Sequence, residues 1–350
     1  MKPNAKRVVY FEPWPDPVSE EILRRKPEIE IGRLSSQAAE ADNLALLRRA
    51  HAYQIGAARD ELPRYMWAED ALLAQCPDLL IASSHGAGFD TIDLAACTRA
   101  GVLAVNQAGG NKEGVAEHAL AMMLTLSKKL INADRRMRLS HDFRRADFIG
   151  NDLFGKTLGV VGMGHIGSRL AELCRSLFRM RVLACDPYLD AAAIAARGAE
   201  KTSLDALLRE SDFVSVHCPR TAETENMIGR AQFAAMKPNA YFVNTARGGI
   251  HDETALQEAL EQRRIAGAGL DVWAVEPPPL DHPLLKRDDV IASPHIAGVT
   301  RESRKQTATI AAEQLVEVLD GKRPPRLLNP EVWPVYAKRF ERIMGTAVKD

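Results

Sequence analysis

Several features that would each point to a class of protein are missing, or nearly so, from this sequence of 350 residues. Its five cysteines form no C-x-x-C pair and no cluster with histidine, so we expect reduced thiols and no bound metal. No apolar run is long enough to span a bilayer, and the first residues do not resemble a signal peptide, which favours a cytoplasmic protein without a membrane partner. The 46 basic side chains equal the 46 acidic ones, so charge gives no reason to expect nucleic acid as a partner.

Short apolar runs alternate with helical patterns along most of the chain, which is long enough for two domains. Strands that alternate with helices in this way are typical of an α/β fold with parallel sheets. The longest predicted helix runs from residue 114 to about residue 138, because apolar side chains keep a helical spacing there. Another long helix is predicted for residues 302–319.

Residues 157–167 carry the clearest motif of the sequence. A short apolar run ends in three glycines with the spacing G-x-G-x-x-G, and a helical pattern follows at once. This order is typical of a dinucleotide site, since the glycines allow a tight turn, close approach of a pyrophosphate and close packing of the helix on the strand. Alone, the motif also fits a turn that binds nothing. The predicted phosphate-binding residues at this helix N-terminus are Gly162, Gly164, His165, Ile166 and Gly167.

The next predicted strand, residues 181–185, ends at Asp186, about 20 residues past the last glycine of the motif. A carboxylate there accepts hydrogen bonds from a ribose 2′-hydroxyl and repels a 2′-phosphate. Strand, helix and acid in this register predict NAD rather than NADP as the cofactor. Taken alone, Asp186 also fits a solvated acid at the end of a strand.

Polar residues follow four further predicted strands, and ligands bind at the carboxyl ends of parallel strands. These segments are residues 217–219, 244–249, 271–277 and 293–298. They bring Arg247, Glu276 and His295 to one edge of the predicted sheet. Each of the three alone also fits a surface or loop residue, but together they predict a catalytic site.

Four segments, "GVVGMGHIG", "NTARGG", "DVWAVEPPPLDHPLL" and "SPHIAG", resemble in this order the D-isomer-specific 2-hydroxyacid dehydrogenases. That family includes phosphoglycerate, glyoxylate/hydroxypyruvate, D-lactate and formate dehydrogenases, and the likeness covers residues 79–329. It implies two Rossmann-like, doubly wound domains, with the NAD-binding domain (residues 106–298) inserted into the substrate domain (residues 1–105 and 299–350). It also implies a homodimer, for which the predicted helix 114–138 is the candidate contact.

The resemblance implies that Arg247 binds the carboxylate and carbonyl oxygen of a 2-keto acid, and that His295 is the acid/base with Glu276 as its partner. These side chains suit the roles, because arginine is planar and always charged, and a nearby carboxylate raises the pKa of a histidine. Asp271 resembles the family's contact to the nicotinamide, although an Asp at a strand end often caps a helix instead. The further predicted cofactor contacts are Cys218, Pro219, Thr224, Thr245, Ala246 and Gly298.

Residues 84–88 resemble the family's substrate loop, in which backbone N–H groups beside glycines bind the substrate carboxylate. The predicted substrate contacts are His85, Gly86, Ala87 and Arg247. Since the loop has no Arg or Lys, we expect a small, unphosphorylated 2-keto acid such as glyoxylate, hydroxypyruvate or pyruvate. The alternative function is an NAD-sensing scaffold or corepressor-like protein of the same fold.

Overall fold

The computed structural model describes residues 5–349. The chain divides into two compact units, of which the first contains the residues up to Asn111 and those from Arg301 onward. The second unit is the continuous stretch Lys112–Thr300. The first unit is therefore made of two separate pieces of sequence.

Within the described residues, the strands are β1 (Lys6–Phe11), β2 (Ile29–Leu34), β3 (Ala52–Ile55), β4 (Ile81–Ser84), β5 (Leu103–Val105), β6 (Thr157–Val161), β7 (Arg181–Cys185), β8 (Glu200–Lys201), β9 (Phe213–Val216), β10 (Tyr241–Asn244), β11 (Gly267–Leu270) and β12 (Val290–Ala292). The α-helices are α1 (Val18–Arg24), α2 (Glu40–Leu47), α3 (Asp70–Leu73), α4 (Leu94–Ala100), α5 (Lys112–Ser127), α6 (Leu130–Leu139), α7 (His165–Phe178), α8 (Ala191–Ala196), α9 (Leu204–Glu210), α10 (Arg230–Ala235), α11 (Glu253–Glu261), α12 (Arg301–Leu319) and α13 (Trp333–Met344). Short 3₁₀ turns lie at Arg64–Met66, Arg145–Phe148, Pro283–Lys286 and Pro330–Val332.

The first unit is built on a parallel sheet with the strand order β2-β1-β3-β4-β5. Successive residues of a strand face opposite sides of the sheet, and here both sides are buried. Val8 belongs to a cluster that includes Leu315 of α12 and Phe340 of α13, whereas Val9 belongs to the cluster on the other side. The strands are therefore continuous apolar runs, as expected for a sheet that is covered on both faces.

The second unit is built on a parallel sheet with the strand order β12-β11-β10-β9-β6-β7-β8. Val160 and Val161 of β6 again face two different buried clusters. The strand order changes direction at β6, which pairs with β9 on one side and with β7 on the other. Such a switch point leaves a crevice at the carboxyl ends of the strands. The predicted α/β fold with two parallel, doubly wound sheets is thus confirmed.

The single helix predicted for residues 114–138 is wrong. Helix α5 ends at Ser127 and α6 begins at Leu130, because Lys129 adopts a left-handed backbone conformation with φ +53°. The carbonyl of Ser127 accepts a hydrogen bond from the backbone N–H of Asn151 at 2.8 Å instead of continuing the helix. Helix α6 has no buried residue, unlike α5.

The segment after residue 329 forms α13 and packs into the first unit. Asn329 is buried and joins the two pieces of this unit, since its Oδ1 accepts from the N–H of Ala104 at 2.9 Å and its Nδ2 donates to the carbonyl of Val102 at 3.0 Å. Among residues 5–349, no helix combines the length and apolar character needed to cross a membrane.

Candidate functional site

The three glycines after β6 have three different surroundings. Gly162 has φ +92°, and a Cβ there would lie 2.7 Å from the backbone nitrogen of Cys218. A Cβ at Gly167 would overlap the carbonyl oxygen of Gly162, so α7 packs against its strand as closely as only glycine permits. A Cβ at Gly164 would meet no atom within 4 Å. The open space at Gly164 lies at the N-terminus of α7, where helical N–H groups favour an anion, so this turn fits the pyrophosphate of a dinucleotide.

Asp186, at the end of β7, is held against the glycine turn. Its Oδ2 accepts from the backbone N–H of Met163 at 2.9 Å, and its Oδ1 accepts from the N–H of Tyr188 at 3.0 Å. A carboxylate oxygen has two lone pairs, so the same group can also accept from a ribose hydroxyl. The hydroxyl of Tyr188 in turn donates to Glu223 at 3.1 Å, a second carboxylate that the sequence did not single out.

Five further predicted cofactor contacts (Cys218, Pro219, Thr224, Thr245 and Ala246) lie in the loops after β9 and β10. The Oγ1 of Thr224 accepts from the N–H of Thr221 at 2.7 Å and donates to the carbonyl of Pro219 at 2.8 Å, so it shapes this loop. Burial raises the pKa of the Cys218 thiol to about 11, which excludes a reactive thiolate at neutral pH. The Oγ1 of Thr245 is buried and has no hydrogen-bond partner among the described residues, as expected of a group that a ligand would satisfy.

Asn244, the last residue of β10, organises the loop that carries Arg247. Its Oδ1 accepts from the N–H of Ala246, and its Nδ2 donates to the carbonyl of Arg247, both at 2.9 Å. The guanidinium of Arg247 donates through Nη1 to the carbonyl of Ala246 at 2.7 Å. A Cβ at Gly248 would overlap the carbonyl of Trp273, so the loops after β10 and β11 are in close contact.

His295 and Glu276 form a hydrogen-bonded pair, with Nδ1 and Oε2 separated by 2.7 Å. The other carboxylate oxygen, Oε1, accepts from the backbone N–H of Trp273 at 2.9 Å. Burial disfavours the charged imidazole, but the hydrogen bond and negative charge of Glu276 outweigh it and raise the pKa of His295. Burial likewise disfavours the carboxylate, yet His295 and the Trp273 N–H together lower the pKa of Glu276. Both pKa shifts therefore favour the charged forms, an imidazolium beside a carboxylate.

The backbone at His295 is left-handed, with φ +55°. A non-glycine residue in this region costs on the order of 1–3 kcal/mol and persists only where its surroundings impose it. Here Asp271 imposes it: its carbonyl accepts from the N–H of His295 at 2.7 Å, and its carboxylate accepts from the N–H groups of Ile296 (2.9 Å) and Ala297 (2.8 Å). Asp271 therefore binds the backbone of the loop of residues 293–297, which precedes Gly298. The contacts of Asp271 and Gly298 to a cofactor stay predictions.

The predicted substrate loop lies in the first unit, after β4. Burial and then the charge of Arg304 lower the pKa of His85 to about 4, so this imidazole is neutral at physiological pH. The ring of Trp14 lies with its centroid 6.2 Å from that of His85. The Nε2 of His85 is buried and has no hydrogen-bond partner within the part of the chain that the structure describes.

The backbone of this loop is held from the strand-β5 side. The carbonyl of Gly86 accepts from the N–H of Gln107 at 2.9 Å, and the carbonyl of Ala87 accepts from Nδ2 of Asn106 at 2.7 Å. A Cβ at Gly86 would meet no atom within 4 Å. The carbonyls are therefore occupied, and the space beside Gly86 leaves its backbone open to a small ligand.

Three groups that contact or influence these loops were missed by sequence reasoning. Glu253, on α11, accepts from the N–H of Ala274 at 2.7 Å and pairs with Nε2 of His282 at 3.1 Å, so it braces the loop that carries Glu276. Ser293 lies in the predicted segment 293–298 but was given no role, and Arg304 was not singled out. Each partner is remote in the chain, and no local pattern marks such contacts.

No group of three or more metal-ligating side chains occurs among residues 5–349.

Comparison with known proteins gives a consistent result. Residues 120–297 match the family model of the "D-isomer specific 2-hydroxyacid dehydrogenase, NAD binding domain". The D-3-phosphoglycerate dehydrogenase of Archaeoglobus fulgidus is 38% identical over 322 residues, which are 91% of this chain and 59% of that protein. The glyoxylate reductase of Aeropyrum pernix is 41% identical over 275 residues, which are 77% of this chain and 82% of the reductase.

A solved structure, the D-lactate dehydrogenase of Aquifex aeolicus complexed with NAD and lactic acid, matches with a TM-score of 0.77 at 30% identity and covers 92% of this chain and 99% of its own. The chain spans only 48% to 59% of the curated phosphoglycerate dehydrogenases that it matches. The stretch that the family model covers lies inside the second unit, which therefore contains an NAD-binding domain. The chain belongs to the D-isomer specific 2-hydroxyacid dehydrogenase family.

Proposed function

We propose that this protein is an NAD-dependent oxidoreductase that interconverts a small D-2-hydroxy acid and its 2-keto acid. The observation that carries the proposal is the 2.7 Å hydrogen bond between His295 and Glu276, in the same unit as the glycine turn. A histidine whose charged form is favoured by a carboxylate is a proton donor suited to neutral pH.

The proton transfer follows from the way in which His295 is held. Bound NADH would supply the hydride that reduces the carbonyl carbon. Because Nδ1 of His295 is engaged with Glu276, its Nε2 is the atom that donates a proton to the carbonyl oxygen. In the direction of oxidation, the neutral imidazole accepts that proton from the hydroxyl group.

Arg247 is proposed to orient the substrate. A guanidinium can donate two parallel hydrogen bonds to a carboxylate, and it keeps its charge at any pH relevant here. The same positive charge stabilises the negative charge that develops on the carbonyl oxygen. The hydrogen bonds of Asn244 fix the backbone from which Arg247 extends, so the orientation of the guanidinium does not depend on the substrate alone.

The proposed substrate is a small, unphosphorylated 2-keto acid. The support is that residues 84–88 contain no cationic side chain and that His85 is neutral. The nearby cation is Arg304 of α12, which donates through Nε to the carbonyl of Pro15 at 2.8 Å. A phosphorylated substrate would need further strong donors, so it belongs among the test compounds rather than in the proposal.

The experiment is a panel of 2-keto acids offered to the full-length protein with NADH and, separately, with NADPH. We expect NADH consumption with at least one of glyoxylate, hydroxypyruvate and pyruvate, and the hydroxy acid formed should be the D isomer. The variant His295→Gln should bind NADH as the wild type does but lose activity about 10²- to 10⁴-fold, the usual contribution of a general acid. Tight NADH binding without turnover of any keto acid would overturn the proposal and favour the scaffold function.

We also infer a homodimer located in the cytoplasm. The support for the dimer is that α6 and the segment after it leave apolar side chains exposed, with Met137 64% and Ile149 72% exposed. Apolar side chains exposed together are more often covered by a partner than left in water. Sedimentation at working concentration tests this, and a monomer would contradict it.

A further inference from the structure

A second histidine, His118, takes no part in the proposed chemistry but is connected to the loop of His295. Its Nε2 lies 3.0 Å from Oγ of Ser293, and this Oγ lies 2.6 Å from Oδ1 of Asp271. The backbone carbonyl of Asp271 in turn accepts from the N–H of His295 at 2.7 Å. Two hydrogen bonds therefore join helix α5 to the carboxylate of Asp271, and a third joins the backbone of the same residue to that of the proposed proton donor.

The direction of these hydrogen bonds follows from the groups themselves. An ionised carboxylate only accepts, so the single hydroxyl hydrogen of Ser293 points to Asp271. The Oγ of Ser293 can then only accept from His118, and Nε2 of His118 must be the protonated nitrogen. The series is thus polarised from His118 through Ser293 to Asp271, and hydrogen bonds aligned in this way strengthen one another.

The carboxylate at the end of this series is fully buried, since Asp271 is 0% exposed. A buried carboxylate is tolerated only when donors satisfy it, and here they are the hydroxyl of Ser293 and the N–H groups of Ile296 and Ala297. All of these donors belong to the loop of residues 293–297. Losing the Ser293 donor, or the His118 group that orients it, would therefore loosen the segment that holds His295 in its left-handed conformation.

The position of His118 depends on a glycine in the sheet. Helix α5 packs over β11, and a Cβ at Gly269 would lie 3.0 Å from Met122. Met122 is one helical turn after His118, on the same face of α5. The missing side chain at Gly269 lets this face approach the strand that ends beside Asp271. The side chain of His118 is 25% exposed, so a packing role alone would be served as well by an apolar residue.

We propose that His118 and Ser293 are positioning residues, which hold Asp271 and through it the backbone of His295, so that the imidazole stays on Glu276. This rests on the proposed function, because the acid/base role of His295 is part of that proposal. Neither residue touches the reacting atoms. Their effect is expected in the rate of turnover and in the state of His295, not in the binding of NADH.

The test compares two variants that remove a hydrogen bond with two that keep it. His118→Leu and Ser293→Ala remove it, whereas His118→Gln retains an N–H near the position of Nε2 and Ser293→Thr retains the hydroxyl. Glu117→Leu, at an exposed position beside His118 on α5, is the matched control. For each, kcat and KM for the keto acid, the Kd for NADH and the melting temperature are measured. The pKa of His295 is followed by NMR of histidine-labelled protein, with its signal assigned from His295→Gln.

We expect His118→Leu and Ser293→Ala to lower kcat about 10- to 100-fold, the effect of a slightly misplaced catalytic group, with the Kd for NADH unchanged. The pKa of His295 should fall toward its ordinary value in both. His118→Gln and Ser293→Thr should restore most of the rate, and Glu117→Leu should behave as the wild type.

Wild-type kcat and an unmoved His295 pKa in His118→Leu would overturn the inference. If His118→Leu does not fold, equal rates in Ser293→Ala and Ser293→Thr would overturn it instead. A wild-type protein that reduces no keto acid would refute the proposed function, and the NMR titration would still decide the positioning of His295.

Discussion

The imidazole of His295 and the carboxylate of Glu276 meet at 2.7 Å although they lie on loops after different strands, β12 and β11. Separate hydrogen bonds fix each loop: Asp271 holds the backbone of His295, and Glu253 holds that of Ala274. The two groups are brought together by the sheet rather than by their own attraction alone. Changing one of them should therefore alter the chemistry of the other without displacing it.

Glu276→Gln should shift the pH dependence of keto-acid reduction to lower pH. Burial lowers the pKa of His295, the carboxylate of Glu276 raises it, the charge of Arg247 lowers it and the charge of Asp271 raises it, in decreasing order of size. Removing the Glu276 carboxylate therefore leaves burial as the largest effect and lowers the pKa. Reduction needs the protonated imidazole, so its rate is lost as pH rises through the pKa of His295. At a fixed pH above that pKa, the protonated fraction falls about tenfold for each unit by which the variant lowers the pKa. The pH–rate profile measures this. If chemistry limits the rate and the alkaline limb of the reduction profile does not move, the proposed effect of Glu276 on His295 is contradicted. Oxidation of the hydroxy acid, which needs the neutral imidazole, should keep its activity at high pH.

Arg247→Lys should lower kcat/KM for the keto acid about 10²-fold or more and leave the Kd for NADH unchanged. A lysine keeps the charge but loses the planar pair of donors, which decides orientation. Arg209→Lys, in an exposed i,i+4 pair with Asp205 on α9, is a matched control and should be neutral. Full activity in Arg247→Lys would show that charge alone is enough.

Gly164→Ala and Gly167→Ala should fail in different ways, although both add one methyl group to the same turn. The Cβ at position 164 meets nothing within 4 Å, so this variant should keep its melting temperature and bind NADH at least tenfold more weakly. The Cβ at position 167 overlaps a backbone oxygen, so this variant should lose about 1–3 kcal/mol of stability. Thermal unfolding and fluorescence titration with NADH separate the two. Unimpaired NADH binding by Gly164→Ala would argue against a phosphate at this position.

Asp186→Asn should relax the preference for NADH over NADPH. The amide oxygen can still accept one of the two backbone N–H groups that the carboxylate binds, while the negative charge that repels a 2′-phosphate is gone. Asp186→Ala should relax the preference as well but also lose stability, because both N–H groups lose their acceptor. The ratio of kcat/KM with the two cofactors is the measurement. An unchanged ratio in both variants would assign the selectivity to another group, with Glu223 the nearest candidate.

Met137→Glu combined with Ile149→Glu should convert the inferred dimer to monomers. Charges at two apolar positions that a partner buries are costly, whereas the same changes on a solvated surface are not. Val335→Glu on α13, also an exposed apolar position, is the control and should leave the assembly unchanged. Analytical ultracentrifugation of the three proteins decides the matter. A double variant that sediments as the wild type would place the contact elsewhere.

Much of the fold could be predicted because buried strands and amphipathic helices leave periodic patterns. The strand expected at residues 181–185 is β7 without change. The predicted helix 114–138 failed because Leu130 continues the apolar spacing of α5 across Lys129, and spacing does not reveal one residue in a left-handed conformation. Periodicity therefore predicts which residues are helical better than it predicts where one helix ends and the next begins.

The candidate site was predictable to the extent that its residues lie in short motifs at strand ends. Arg247, Glu276 and His295 stand in such motifs, and their roles stay predictions. The contact between His118 and Ser293 could not be predicted, because the two residues are 175 positions apart and no spacing in the sequence links them, although Ser293 opens the segment SPHIAG. Glu253 was missed for the same reason. Residues that contact a ligand recur in fixed spacings, whereas those that support them are set by how helices pack on the sheet.

The continuity of the second unit in sequence has a practical consequence. Since Lys112–Thr300 is one uninterrupted stretch with its own sheet and buried clusters, a gene fragment for these residues is expected to give a folded protein that binds NADH. The first unit has no such fragment. Its two pieces would have to be joined by a peptide from Asn111 to Arg301, and the contact between Gly110 and Thr307 brings them together within that unit. Residues 112–300 can therefore be expressed as a separate cofactor-binding protein, and the two pieces of the first unit can be expressed as one joined chain.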